Sequence, residues 1–129
     1  MARFLSDEWL AELNGAVAFD DHLHEAASGL RLTIQQVVTR PDTGERCYTI
    51  EIDDGRVRLS AGRIESADAT ITEDYDTAAA LARGETTPQD AILAGRIRVS
   101  GDLGALLKGQ EVLELVRARF DDVRSRTEY

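Results

Sequence analysis

Few residues in this chain have types and spacing suited to chemistry. His22 and His24, followed by Glu25, could begin a metal site. A helix presents ligands on one face at spacings of three or four, so an i, i+2 pair diverges there, and no third ligand is evident. Solvated histidines are the expected outcome, and no metal site is assigned. Cys47 lies among Thr49 and Glu51 in an alternating stretch, with no His or Lys nearby in sequence to lower its pKa or act as a base. It is read as ordinary packing. The acidic clusters Asp20-Asp21, Asp53-Asp54, Glu73-Asp74-Asp76 and Asp121-Asp122 sit where turns and helix caps favour Asp, and none has the alternating ligand spacing of a calcium loop. Gly101-Asp102-Leu103-Gly104 lacks the third glycine and the lysine of a phosphate cradle. No catalytic residue and no cofactor are therefore assigned. Arg56, Arg58, Arg96 and Arg98 read as a solvated face beside Glu51, although one of them, or Arg117 or Arg119, could hold a ligand's carboxylate or phosphate.

The apolar side chains have to be positioned by recognisable elements. Ser6, with Asp7 and Glu8 behind it, starts a helix to about Ala18 whose stripe is Trp9, Leu10, Leu13 and Val17. Residues Phe19 to Gly29 fit a short helix or an irregular linker. From Leu30 the period becomes two, with Leu32, Ile34 and Val38 on one face, interrupted by Gln36, and Arg31, Thr33 and Gln35 on the other. A turn across Arg40–Glu45, carrying Pro41, Asp42 and Gly44, leads to Tyr48, Ile50 and Ile52. Asp54-Gly55 then reverses the chain into Val57 and Leu59. These three strands make an antiparallel meander.

Ala67 to Thr72 gives a fourth strand with Ala69 and Ile71 inward, after which Asp74 or Asp76 caps an Ala-rich helix closed by Gly84. Thr87 with Pro88 opens another helix, Gly95 ends it, and Ile97 and Val99 mark a fifth strand. Leu103, Leu106, Leu107, Leu113, Val116, Phe120 and Val123 then recur at helical spacing as one long amphipathic region, with a frayed end from Arg124 to Tyr129. Polar outward strand positions favour one sheet layer with helices over one face.

The bulk properties agree with a globular domain. At 129 residues, 43% hydrophobic and 30% charged, the chain is expected to form a single domain over 1–129. The formal net charge of -9 makes nucleic acid an improbable partner and disfavours adhesion to anionic lipid, leaving only transient, apolar membrane contact. No membrane span or secretory signal is expected. One cysteine forms no internal disulfide, and Lys108 is the sole lysine among 15 basic residues, a bias associated with GC-rich bacterial genomes. A cytoplasmic, bacterial setting is the expectation.

The run from Ala67 to Leu107 resembles the sterol carrier protein type 2 family, also called nonspecific lipid-transfer proteins. The resemblance rests on the ADATIT strand, the start at Asp74 to Asp76, the helix ending at Gly84, and the piece TPQDAILAGRIRVSGDLG, with Pro88, Gly95, Arg96, Ile97, Val99, Gly101 and Leu103 in register. It implies an α+β fold with a five-stranded mixed, mainly antiparallel sheet, covered on one face by helices and enclosing a hydrophobic cavity. The implied ligand is a long-chain lipid: fatty acid, fatty acyl-CoA, phospholipid or a sterol-like molecule. By position, the implied lining is Ile71, Leu81, Ile92, Leu93, Val99, Leu103, Leu106 and Leu107, joined by the inward strand residues Val38, Ile50 and Leu59. The helix beginning at Leu103 becomes the expected gate, with Gly101, Gly104 and Gly109 as flexible points. Sterol suits the expected bacterial setting poorly, and the C-terminal Arg-Thr-Glu-Tyr lacks a peroxisomal address. The resemblance thus implies a non-enzymatic carrier, monomeric or homodimeric. The competing expectation is an accessory or dimerisation module with a filled core, as in related domains appended to alkyl sulfatases, acetyltransferases and a thiol-dependent isomerase.

Overall fold

Ser6 begins the first helix by accepting a hydrogen bond from the Trp9 amide through its hydroxyl, at 3.2 Å. In the computed structural model, which describes residues 2–40 and 44–129, helix α1 spans Asp7–Ala18 and buries Trp9, Leu10, Leu13 and Val17. A second short helix, α2 (Asp21–Ala26), is capped by Asp20, whose carboxylate accepts from the Leu23 amide. This settles the open reading of Phe19 to Gly29 in favour of a helix.

Strands β2 (Arg31–Arg40), β3 (Gly44–Asp53) and β4 (Arg56–Ala61) form the antiparallel meander. They follow a two-residue strand β1 (Ala2–Arg3) at the start of the chain. The turn expected at Pro41 and Asp42 lies outside the described residues. At the second reversal, Asp54 and Gly55 have φ of 44° and 93°. Positive φ at both central positions is the geometry of a tight hairpin turn matched to strand twist, and it explains the Asp-Gly pair. Strand β5 (Ala69–Asp74) then lies parallel to β2, and β6 (Ile97–Gly101) pairs antiparallel with β5. The sheet order is β4-β3-β2-β5-β6.

Because β3 and β2 stand between β4 and β5, the connection must cross the sheet. It does so on the face opposite the helices. Gly62 donates to the Cys47 carbonyl, Ile64 to the Gln35 side-chain oxygen and Asp68 to the Thr33 carbonyl. Gln35, Val37 and Thr49 are consequently buried, although alternation alone puts Gln35 and Thr49 on a solvated face. The exposed remainder of that face has Arg58 opposite Glu51 and Arg56 opposite Asp53.

The other face is covered by helices. Asp74 caps α3 (Tyr75–Arg83), accepting from the Thr77 amide at 2.7 Å, and Thr87 caps α4 (Pro88–Leu93). The expected continuous C-terminal helix is instead two, α5 (Leu103–Lys108) and α6 (Gln110–Val123). The break falls at Gly109, a buried residue at which a Cβ would meet Leu32 Cδ1 at 3.1 Å. Close approach to β2 fixes the joint there. The end of the chain also departs from the frayed tail expected. Residues Arg124–Arg126 make a 3₁₀ turn, and β7 (Thr127–Glu128) pairs in parallel with β1. The Tyr129 ring packs 5.0 Å from Phe4, which meets Trp9 edge-on at 4.9 Å. These aromatic contacts hold the tail against the core.

Candidate functional site

Between the helical layer and the sheet lies a cavity of about 340 Å³, within the ~300–1,000 Å³ usual for small-molecule sites. The sheet contributes Gln36 and Val38 from β2, Tyr48 and Ile50 from β3, and Ile71 and Glu73 from β5. All point the same way because they stand two apart along their strands. Across from them, α3 supplies Leu81, α4 supplies Ile92, and α5 supplies Leu106 and Leu107. Helix α6 adds Leu113, Val116 and Phe120. Ile92 and Leu107 line the cavity while remaining 52% and 70% exposed. Side chains that do both mark its mouth, which thus opens between α4 and α5.

Two polar zones interrupt the lining. Gln89, Gln110 and Glu114, on the helical side, are joined there by the half-buried Arg117. Gln36, Tyr48 and Glu73 belong to the sheet floor. The register sets Tyr48 opposite Gln36 and Gln36 opposite Ile71, with Glu73 one inward step further along β5, opposite Val38. Glu73 is 8% exposed, and its Oε2 is out of reach of solvent with no hydrogen-bond partner. Burial, then the adjacent Asp74 carboxylate, pushes its pKa from 4.5 up to about 7. No salt bridge to Glu73 exists among the described residues. Burial and the charge of Glu73 raise the Tyr48 hydroxyl far above its ordinary value, so it stays a neutral phenol. Asp74 itself is held low by its cap bonds to Thr77.

The remaining chemical candidates lie elsewhere. Cys47 is half-buried on the outer face of β3, and burial followed by the Glu45 carboxylate pushes its thiol up. His22 and His24 stand on α2, and no group of three or more His, Cys, Asp or Glu among the described residues could hold a metal ion. No helix among the described residues is long and apolar enough to cross a membrane.

The profile of the SCP-2 sterol transfer family matches residues 13–114, which takes in the five-stranded sheet, helices α2 to α5 and the first part of α6. The chain belongs to the SCP-2 sterol transfer family. Sterol carrier protein 2 of Gallus gallus is 28% identical over 72 residues, covering 56% of this chain but 13% of the relative's length. Among solved structures, a crystal structure of sterol carrier protein 2 aligns over 89% of this chain and 98% of its own, at 21% identity and a TM-score of 0.71. The solution structure of a conserved hypothetical protein from Thermus thermophilus, described as possibly a sterol carrier protein, aligns over 95% of this chain and 91% of its own, at 20% identity and a TM-score of 0.70. At those identities the structures show the fold, the α+β five-stranded mixed sheet expected from the sequence. Membership in the SCP-2 family supports lipid or sterol binding or transfer.

Within this SCP-2 fold, Val38, Ile50, Ile71, Leu81, Ile92, Val99, Leu106 and Leu107 lie on the cavity wall. Leu59, Leu93 and Leu103 do not. Leu59 sits on the edge strand β4, where the Asn14 side chain of α1 donates to its carbonyl and accepts from its amide, both at 2.8 Å. These bonds hold it under α1. Leu93 and Leu103 are 86% and 58% exposed, the first at the end of α4 and the second on the first turn of α5. Of the arginines considered as headgroup ligands, Arg117 lines the cavity, whereas Arg119 pairs with Asp20 and Asp122 at 3.2 and 3.3 Å.

Sequence reasoning misses Phe4, Leu5, Gln36, Tyr48, Glu73 and, apart from Arg117, the α6 side chains of the SCP-2 cavity. A period-two signal for Glu73 exists in Ala69, Ile71, Glu73, but the neighbouring Asp74 and Asp76 absorb it into a capping cluster. Gln36 registers only as an interruption of an apolar face. Phe4 and Leu5 precede the first helix and follow no period.

Proposed function

We propose that this chain is a non-enzymatic carrier that takes up a long-chain lipid between its sheet and helices, acting as a single lipid-binding domain over residues 1–129. The observation that carries the reading is the largely apolar cavity with its mouth at Ile92 and Leu107. Each methylene moved there from water contributes about 0.8 kcal/mol, so ten of them give roughly 8 kcal/mol before ordering costs. A fatty acid, fatty acyl-CoA, phospholipid or sterol-like molecule meets that requirement.

Delivery draws on the same rim. Ile92, Leu93, Leu103 and Leu107 are exposed on α4 and α5, a set of apolar side chains suited to brief contact with a bilayer. The formal charge of -9 opposes lasting attachment to anionic lipid. A reducing cytoplasm suits the unpaired Cys47, and the carrier works as a monomer or homodimer. The accessory-module reading has less support, because it requires the space between sheet and helices to be filled.

Native mass spectrometry of gently purified protein should reveal a co-purified lipid, and a fatty acid, acyl-CoA or phospholipid should raise the melting temperature. Absence of both effects would remove the carrier reading. Sedimentation at micromolar concentration distinguishes a monomer from a dimer.

A further inference from the structure

Resting on the carrier reading, we infer that Glu73, with Gln36 and Tyr48, forms a polar subsite in the cavity floor that selects a lipid bearing a neutral hydroxyl on the end buried against the sheet. Apolar burial alone requires no carboxyl group here, and an unpaired one is costly. Glu73 is nevertheless more than nine-tenths buried, lines the cavity, and has an oxygen with neither solvent nor protein partner. Val38 stands directly opposite Glu73 on β2, Gln36 lies diagonally across from it on the same face, and Tyr48 faces Gln36 from β3. A ligand atom is the partner that such a cluster lacks.

The chemistry narrows the class. Among the described residues no cation pairs with Glu73, and its ionisable neighbours are Asp74 beside it and Tyr48 on β3, with Glu114 and Arg117 on α6 across the same cavity. Arg96 acts on Asp74 rather than on Glu73. An anionic ligand headgroup is repelled from the floor when Glu73 carries charge and is better placed near Arg117. A hydroxyl fits both forms of Glu73. It accepts from the protonated carboxyl and donates to the carboxylate. An ether or ester oxygen can only accept, so it suits the protonated form alone.

The test compares dodecanol with dodecyl methyl ether, which keeps the acceptor and removes the donor. Both are measured by displacement of a fluorescent dye from the whole chain and from Glu73→Leu and Glu73→Gln, across pH 5.5 to 8.5. In the wild type, dodecanol should bind about tenfold more tightly than the ether at high pH, the effect of a hydrogen bond to a charged acceptor. That ratio should shrink as pH falls through about 7, where Glu73 is protonated. Glu73→Leu should bring the ratio close to one, and Glu73→Gln should make it independent of pH. A buried carboxyl with a merely structural role would leave the ratio unmoved in both variants, and that result would overturn the subsite alone. Circular dichroism confirms that each variant is folded. If neither probe nor dodecanoate binds the wild type at any pH, the carrier reading fails and the subsite with it.

Discussion

Replacing Glu73 by Gln removes one titration from the folded protein, and its effect on stability has a calculable sign. In the unfolded chain the carboxyl loses its proton near 4.5, whereas in the fold it keeps it to about 7. Below pH 4.5 it is protonated in both states and contributes no pH dependence. Between 4.5 and 7 the folded state holds more proton, so stability falls as pH rises, and above 7 the whole penalty is present. The displacement corresponds to about 3 kcal/mol at ~1.36 kcal/mol for each pK unit. Glu73 is buried, so solvent screening removes little of this. Urea unfolding of wild type and Glu73→Gln at pH 5 and pH 8 provides the assay. Part of the penalty is already present at pH 5, so the stability of the variant relative to the wild type should improve by about 2.5 kcal/mol between the two conditions, or by on the order of 10 °C in melting temperature. Other carboxylates titrate in both proteins and drop out of the difference. Any fixed cost of burying the amide drops out as well. A gap that stays constant with pH, or changes in the opposite direction, would refute the assignment of Glu73 as a buried, unpaired acid.

Three further outcomes follow from the geometry. Gly101→Ala places a Cβ 2.7 Å from the Asp68 carbonyl oxygen at φ 96°, and should cost about 2 kcal/mol or more in thermal or urea unfolding; an unchanged melt would show that the two strands separate freely there. Asn14→Ala strips both hydrogen bonds from the Leu59 backbone on the edge strand, with an expected loss of about 1–3 kcal/mol, whereas Asn14→Asp keeps only the acceptor and should recover part of it. Ile71→Phe takes up part of the cavity space and should weaken lipid-induced thermal stabilisation while leaving the apo melting temperature within a few degrees of wild type, because cores accept added volume where space already exists. Lipid stabilisation equal to that of the wild type would put the ligand elsewhere.

Elements governed by local chemistry are legible in the sequence. Helix α1 follows from Ser6 and a regular apolar stripe, and the β3–β4 hairpin follows from Asp54-Gly55 between alternating strands. The caps at Asp74 and Thr87 are equally local. Features decided by distant contacts are hidden. The break between α5 and α6 depends on Gly109 meeting Leu32, and Gly109 alone does not reveal that encounter. The ordered end of the chain depends on β1, at the opposite end of the sequence. The burial of Gln35 and Thr49 depends on a crossing segment whose path follows from strand order. At the site, period two finds Val38, Ile50 and Ile71, but it also selects Leu59, because alternation gives the face of the sheet and not the position along it. Leu59 lies far enough toward the β4 edge to fall under α1. Helical spacing similarly cannot separate Leu106 and Leu107, which line the cavity, from Leu103, which does not.

The attachment of α5 has a consequence for the rate at which cargo changes hands. This helix has no fully buried side chain, whereas its base is tied down: the Asp102 amide donates to the Asp68 carbonyl at 2.8 Å, and the Asp68 carboxylate accepts from the Thr33 amide at 2.7 Å. Gly101 and Gly109 are both fitted closely to neighbours, so they serve as seats more than as loose hinges. On the carrier reading, an opening of α5 would disrupt few contacts and leave the sheet intact, a local event much cheaper than global unfolding. Residence time would then be decoupled from overall robustness. Substitutions beneath α1 can weaken the whole molecule without hastening release, while changes confined to Leu106 or Leu107 can alter the exchange rate with hardly any change in the melting temperature.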